Sequence, residues 1–389
     1  MINEFVITAT RSMTDYASRV AEQLSKFLTS PAFSSRYEMT GDPGGINGAG
    51  ILSTDRFADG EMEAVVNTSI RGKAVVLFTS SARNEAGIGV EEAKIELYHT
   101  VDALKRSQAE RIIIFEPFVS CSRSDRTFRR SSVGLWVHYK ILVSLGAAHI
   151  ITYQLHSDKS KSILDPTLCA IDDIPAMTLL KRYLCDTSIM NLETLKNVVR
   201  THWAFCSVDA GGEKLARGFA NAFGAPLVVA HKQRDPSKVN TVKSINILSA
   251  EPLEGKILWI VDDMVDTAGS VESLVRALAA HKPAEINIMA VHALFSPPAA
   301  ERLNRLTQEG LLNRLLVTDT IYCPRTIFTE IPNLEVVPSV ELSAKVIEAI
   351  VSNRSMNKLL RPFDAEIYLK SPNLFNQDYR SGAGSSSPD

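Results

Sequence analysis

Short runs of apolar residues with no polar alternation recur along the chain, at 74–78, 111–115, 149–153, 203–208, 226–230, 257–261 and 286–293, and a helical pattern follows each. A strand with one solvated face alternates apolar and polar side chains, whereas an unbroken apolar run fits a strand covered on both faces, as in a parallel sheet between layers of helices. Such strands alternating with helices predict an α/β fold of mainly parallel sheets flanked by helices. Residues 5–10 read as the first strand. At 389 residues with 45% hydrophobic content, the chain is long for one compact domain and fills two cores comfortably.

Of these runs, 257–261 has the most informative sequel. Asp262 and Asp263 follow it directly, then Asp266, Thr267, Ala268, Gly269 and Ser270, and a helix is read over 271–278. A small, hydroxyl-bearing, glycine-containing loop between strand and helix turns backbone N–H groups and the positive end of a helix dipole toward an anion, which is how backbone holds a phosphate. Two carboxylates do not suit that phosphate. They suit the vicinal hydroxyls of a ribose, each accepting from one, so the segment describes a ribose 5-phosphate cradle. The plainer reading, a helix cap and a turn, calls for one aspartate and leaves the second unexplained.

Composition excludes other classes. A formal net charge of -2 offers no field for nucleic acid or a membrane surface, and no lysine- or arginine-rich block occurs. No apolar run approaches the ~20 residues needed to span a bilayer, and residues 5–10 do not resemble a signal peptide. Cys121, Cys169, Cys185, Cys206 and Cys323 are odd in number and contain no CxxC pair, so free thiols and a cytoplasmic location are expected. The glycine-rich stretch 38–51 reads as a surface insertion because no strand precedes it, and 380–389 as a disordered Ser/Gly tail.

Further candidates lie upstream of the cradle. Phe57 offers an aromatic face for a purine, with Asp59 and Glu61 as acceptors for its exocyclic amine; alone, this pentapeptide reads as a surface turn. Arg123, Arg126, Arg129 and Arg130 form a basic cluster whose guanidinium groups match phosphate oxygens, surface solubility being the other reading. His156 and Asp209 stand at the carboxyl ends of strands, where α/β sheets open onto ligand crevices, although a lone histidine also serves as a structural hydrogen-bonding residue. Lys232 and Arg234, spaced i, i+2 on an extended segment, point to one side. As loop residues between the strand 226–230 and the polar stretch 235–243, they would fold over a bound nucleotide; otherwise they are a solvated pair.

In order and spacing, these segments resemble the ribose-phosphate diphosphokinase (PRPP synthetase) family over about residues 4–360, with insertions near 31–52 and 84–98. Residues 257–270 resemble the loop that family shares with phosphoribosyltransferases; His231, Lys232, Gln233 and Arg234 resemble the synthetase catalytic loop. The resemblance implies two phosphoribosyltransferase-like domains, 1–160 with 336–360 returning to it and 161–335 carrying the loop, followed by a partly disordered tail, 361–389. It implies transfer of the β,γ-diphosphate of ATP to the 1-hydroxyl of ribose 5-phosphate, giving PRPP and AMP. Mg²⁺ is the implied cofactor, with His156 and Asp209 as its protein ligands. Lys232 and Arg234 are implied to be catalytic, and Phe57, Asp59, Glu61, Arg123 and Ser124 to bind ATP, the adenine lying between subunits. Asp262, Asp263, Asp266, Thr267, Ala268, Gly269 and Ser270 are implied to bind ribose 5-phosphate. A homo-oligomer, hexameric in the family, is implied, with phosphate and ADP as effectors at a site that includes Ser69 and Arg71. Ser124, Gln154, Val208, Asn357 and Leu360 depart from the family's glutamine, aspartate, proline, serine and phenylalanine. A phosphoribosyltransferase would leave 57–61 and 231–234 idle. A non-catalytic regulatory paralogue would have lost the acidic loop or the lysine–arginine pair, and both are intact.

Overall fold

The computed structural model describes residues 4–27, 37–38, 51–127, 130–209, 211–234 and 242–371, of which 37–38, 232–234 and 242–244 are described as backbone. The glycine-rich stretch expected at 38–51 is almost wholly outside the described residues, as are Arg129, most of the polar stretch 235–243 and the tail from 372.

The first sheet contains β1 (Phe5–Ala9), β2 (Tyr37–Glu38), β5 (Ala74–Phe78), β6 (Arg111–Phe115), β7 (Ala147–Tyr153) and β8 (Ala170–Ile174). These pair in parallel in the order β2-β1-β5-β6-β7-β8. Every residue of β1 and β5 is buried, as unbroken apolar runs require of strands covered on both faces. Between β2 and β5, β3 (Leu52–Arg56) and β4 (Met62–Val66) form a separate antiparallel hairpin. The second sheet contains β9 (Trp203–Ser207), β10 (Leu227–Arg234), β11 (Val242–Ser249), β12 (Ile257–Val265), β13 (Glu285–Ala293), β14 (Arg314–Thr318) and β15 (Leu334–Val337). Its order is β11-β10-β9-β12-β13-β14-β15, parallel except for β11. Strand β8 extends the first sheet beyond the boundary expected near residue 160, so the passage between sheets begins after Ile174.

The helices used below are α1 (Thr14–Phe27), α2 (Val90–Arg106), α3 (Gly134–Leu145), α4 (Met177–Leu184), α5 (Glu213–Phe223), α6 (Gly269–Ala279), α7 (Ala299–Gln308), α8 (Arg325–Glu330), α9 (Val340–Val351) and α10 (Ala365–Lys370). One apolar core joins the two sheets through α1, α4, α5 and α9, and each sheet's other face has a core of its own. The chain returns to the first sheet through α9: Tyr16 on α1 shares hydrogen bonds of 2.7 Å with Ser339 and with Ser343. The region 84–98, expected as an insertion, is a loop closed by the Asn84 amide, which donates to Ala82 O and Ile88 O, followed by the first half of α2.

Candidate functional site

The second sheet reverses its direction of growth between β9 and β12, since β9 is followed outward by β10 and β12 by β13 on the opposite side. The carboxyl ends of two such strands open a crevice between loops that diverge, the usual ligand position in a doubly wound sheet. Asp209 follows β9 there. Asp262 and Asp263 come from β12, which does not stop at them as the apolar run suggested: its pairing with β13 continues through Val265. The pairing survives the two carboxylates because backbone, not side chain, makes the ladder.

The two neighbours are driven apart electrostatically. Burial, then the charges of Asp263 and Asp209, push the Asp262 carboxyl well above the ordinary aspartate value. Burial opposes ionisation of Asp263 too, but the His156 hydrogen bond and charge outweigh it and hold that carboxyl low. His156 Nδ1 lies 2.7 Å from Asp263 Oδ2, and this bond raises the imidazole's own pKa. The two adjacent carboxyls at the strand end therefore differ in how readily they ionise.

Beyond β12, the loop enters α6 two residues earlier than the apolar pattern indicated. Ala268, at φ 59°, takes the left-handed conformation, and the turn it makes brings Gly269 into the first position of the helix. A Cβ on Gly269 would lie 2.8 Å from Arg302 Nη1, the tip of a flexible side chain that would have to give way. Arg302 on α7 donates from the same nitrogen to Thr267 O at 2.8 Å and faces Glu272 at 3.5 Å. It is a support of the cradle that the sequence did not reveal. The loop's Asp266 meets Arg123 of the first-sheet side, Nη1 to Oδ2 at 2.6 Å. Although burial works against it, hydrogen bonds from Ser296 and Arg123 hold the Asp266 carboxyl below the ordinary range. Its Oδ1 is buried without a hydrogen-bond partner among the described residues.

Arg123 and His156 also line a polar cleft of about 690 Å³ with Asp125, Arg126 and Lys159. Three cations against one carboxylate suit a polyphosphate. The structure therefore brings Arg123 and His156 to Asp266 and Asp263, the two sides that the sequence treats as separate.

Other sequence candidates lie elsewhere. Phe57, Asp59 and Glu61 form the exposed tip of the β3–β4 hairpin: Phe57 N donates to Glu61 O and Glu61 N to Asp59 Oδ1, while the Phe57 ring is 54% exposed. Ser69 and Arg71 are exposed in the turn before β5. Ser124 Oγ accepts from Gly134 N at 2.9 Å, a hydrogen bond at the start of α3. Asp209 Oδ1 accepts from Gly211 N and Gly212 N, and its charge is near enough to act on Asp262. Lys232 and Arg234 lie on β10, not on a loop. Their partners in β11 are Ile245 and Val242, with an irregularity between Gln233 and Arg234. Lys159 and Arg302 carried no sequence signal, one lying in a polar turn and the other on an ordinary helix face. Among the described residues, no group of three or more His, Cys, Asp and Glu side chains is arranged to hold a metal ion unaided.

The family model for the N-terminal domain of ribose phosphate pyrophosphokinase matches residues 5–146, and that for the phosphoribosyl transferase domain matches 189–304. The chain is similar to ribose-phosphate pyrophosphokinase of Mycoplasma pneumoniae, 30% identical over 311 residues, covering 80% of this chain and 88% of that one. It is similar to the Bacillus cereus protein of the same name, 31% identical over 278 residues, covering 71% and 79%. In fold it is similar to the crystal structure of phosphoribosylpyrophosphate synthetase from Mycobacterium smegmatis, with a TM-score of 0.72 and 24% identity, covering 90% of this chain and 99% of that one.

Proposed function

This chain belongs to the ribose-phosphate pyrophosphokinase family, and from that premise we propose how its site carries out diphosphoryl transfer from ATP to ribose 5-phosphate. The observation that carries the reading is the junction of Arg123 with Asp266 and of His156 with Asp263, which sets a cationic cleft against an acidic strand end and a helix N-terminus. Ribose 5-phosphate lies with its phosphate on Thr267, Ala268, Gly269 and Ser270 and its vicinal hydroxyls on Asp262 and Asp263. Its anomeric oxygen attacks the β-phosphorus of ATP; the new O–P bond forms as the bond from the β-phosphorus to the α,β-bridging oxygen breaks, AMP leaves with that oxygen, and the hydroxyl proton is released to solvent. Lys232 and Arg234, at the far end of β10, offset charge that grows on the transferring group.

Mg²⁺ would neutralise triphosphate oxygens. The donor set fits it: such an ion takes one or two carboxylates and completes its shell with phosphate and water oxygens, so a full protein cage is not needed. Asp209 would supply a hard carboxylate oxygen, while His156, its Nδ1 engaged by Asp263, would present Nε2 to the ion's shell. We place the adenine between Arg123 of one protomer and Phe57, Asp59 and Glu61 of a neighbour in a homo-oligomer, hexameric as in the family, because the hairpin tip turns its ring outward. Ser69 and Arg71 are assigned to a phosphate effector and the protein to the cytoplasm. Among the described residues, no helix is long and apolar enough to cross a membrane.

Oxygen-18 placed at the anomeric hydroxyl tests the reaction. It is expected in the bridge between C1 and the diphosphate of the product; an unlabelled bridge formed while the remaining ribose 5-phosphate still carries the label would refute attack by that oxygen.

A further inference from the structure

Two contacts join the sides of the candidate site, Arg123 with Asp266 and His156 with Asp263, and both are made by groups that the proposed reaction assigns to ligands. Substrates that arrive there compete with them. A joint that persists through the reaction has to be made by other groups, and Arg83 has the geometry for it.

Arg83 stands in the loop after β5 between Ala82 and Asn84, both buried. Ala82 belongs to a small apolar cluster with Phe118, Met264 and Ile321 that spans the two sides, and the Asn84 amide closes the loop on Ala82 O and Ile88 O. The backbone that carries Arg83 is therefore fixed. Its guanidinium crosses to the second sheet: Nη2 donates to Ala293 O at 2.7 Å, Nη1 to Leu294 O at 2.8 Å and Nε to Tyr322 O at 2.8 Å. Ala293 ends β13 and Tyr322 lies beyond β14, so one side chain ties two segments of the second sheet to the first. The planar fork of an arginine makes such charge-assisted bonds together, a geometry that a lysine ammonium does not reproduce.

The segment held in this way leads to the loop 266–270. Phe295 has a φ of 47°, a left-handed backbone unfavourable for a bulky residue, which persists where surrounding contacts fix it. Here the carbonyls of the two preceding residues are bonded to Arg83, and the Phe295 ring centre lies 5.8 Å from the guanidinium carbon. Phe295 N donates to Val265 O at 3.0 Å, at the end of β12, and Ser296 hydrogen-bonds the Asp266 carboxyl. A shift of 293–296 is thus passed to the entry of the loop.

We propose that Arg83 is a positioning residue: from the nucleotide side it clamps the segment 293–296, and through it the ribose 5-phosphate loop, so that the attacking oxygen and the β-phosphorus stay in register. This role rests on the reaction proposed above. Each substrate keeps its own contacts without the clamp, whereas a misplacement of about 1 Å between reacting groups costs up to about 100-fold in rate.

Arg83→Ala and Arg83→Lys in the full chain test the clamp. Equilibrium binding of ribose 5-phosphate, and of ATP with Mg²⁺, is expected to stay within about threefold of the parent, while the single-turnover rate of AMP formation falls about 30-fold in both variants. Methylguanidinium, below concentrations that unfold the chain, should restore rate to Arg83→Ala, and methylammonium should not. Hydrogen exchange gives a readout apart from activity: the Phe295 N–H should exchange faster in both variants, while the amides of Leu258 to Val261 keep the parent rate. Unchanged exchange at Phe295 overturns the proposal, as does a parent-like turnover rate in Arg83→Lys. It is also overturned if the loss appears as weaker ribose 5-phosphate binding with the single-turnover rate preserved. A parent chain that forms no AMP would refute the proposed reaction instead, and the exchange measurement would still decide whether Arg83 holds 293–296.

Discussion

At Gly269 a single missing carbon decides how closely Arg302 can approach the loop. Gly269→Ala puts a Cβ 2.8 Å from the Arg302 guanidinium, so either the arginine releases Thr267 O or the loop shifts. Each route disturbs the loop proposed to hold the sugar phosphate, and we expect KM for ribose 5-phosphate to rise about tenfold, near 1.4 kcal/mol, with kcat less affected. Arg302→Ala removes the support and should raise KM comparably. Because both act through one contact, the double variant should be no worse than either single one, a non-additivity that a double-mutant cycle measures; additive losses would separate the two residues. The loop was legible in sequence because strand, paired carboxylates, small residues and helix are contiguous. Arg302 was not, being 35 residues from Thr267, and nor was the His156–Asp263 pair, 107 residues apart. Contacts of that kind are created by the fold and leave no local pattern.

Elements rather than residues set where the chemistry is carried. Strands β5 and β6 match their apolar runs at 74–78 and 111–115 residue for residue, since burial on both faces writes itself into composition. β11 escaped notice: its sequence Val-Lys-Ser-Ile-Asn-Ile-Leu-Ser is half polar, as befits an edge strand, and by pairing with it β10 extends to Arg234, past the end of its apolar run. Lys232 and Arg234 thus start from a paired strand, and Lys232→Ala or Arg234→Ala should lower kcat by about 100-fold, roughly 3 kcal/mol, with little change in ribose 5-phosphate affinity. Single-turnover rates with both variants near the parent value would remove them from the mechanism.

Strand β13 supplies a different element-level prediction through His292. Its Nε2 lies 3.1 Å from Tyr153 O and 3.2 Å from Gln154 O, and its Nδ1 lies 2.9 Å from the Thr320 hydroxyl. Burial lowers its pKa to about 4. The folded imidazole stays neutral between about 6.5 and about 4 while the unfolded one gains a proton, so its contribution is to lose stability as pH falls through that window. The loss should approach about 3 kcal/mol at its acid end. Urea melts across this range should show His292→Gln losing less stability with acid than the parent does; parallel pH profiles would assign the acid sensitivity elsewhere.

At the scale of the whole molecule, the α/β class and the pairing of two sheets were readable from alternation alone, whereas the core that fuses them was not, because it draws on α1, α4, α5 and α9 from distant parts of the chain. The proposed effector control belongs to the same scale. Ser69 and Arg71 keep a hydroxyl and a guanidinium for a phosphate oxyanion, but the exposed Leu360 cannot stack on a base as an aromatic ring does. Phosphate activation should persist, while ADP inhibition at saturating ATP should be weak; strong inhibition abolished by Arg71→Ala would reverse that expectation. The account as a whole depends on diphosphoryl rather than phosphoryl transfer between the two sides joined at Asp263 and Asp266. The direct measurement is the nucleotide released from ATP by the purified chain: AMP, formed only when ribose 5-phosphate and Mg²⁺ are both present, is the predicted result, and ADP, or no sugar-dependent nucleotide product, would contradict it.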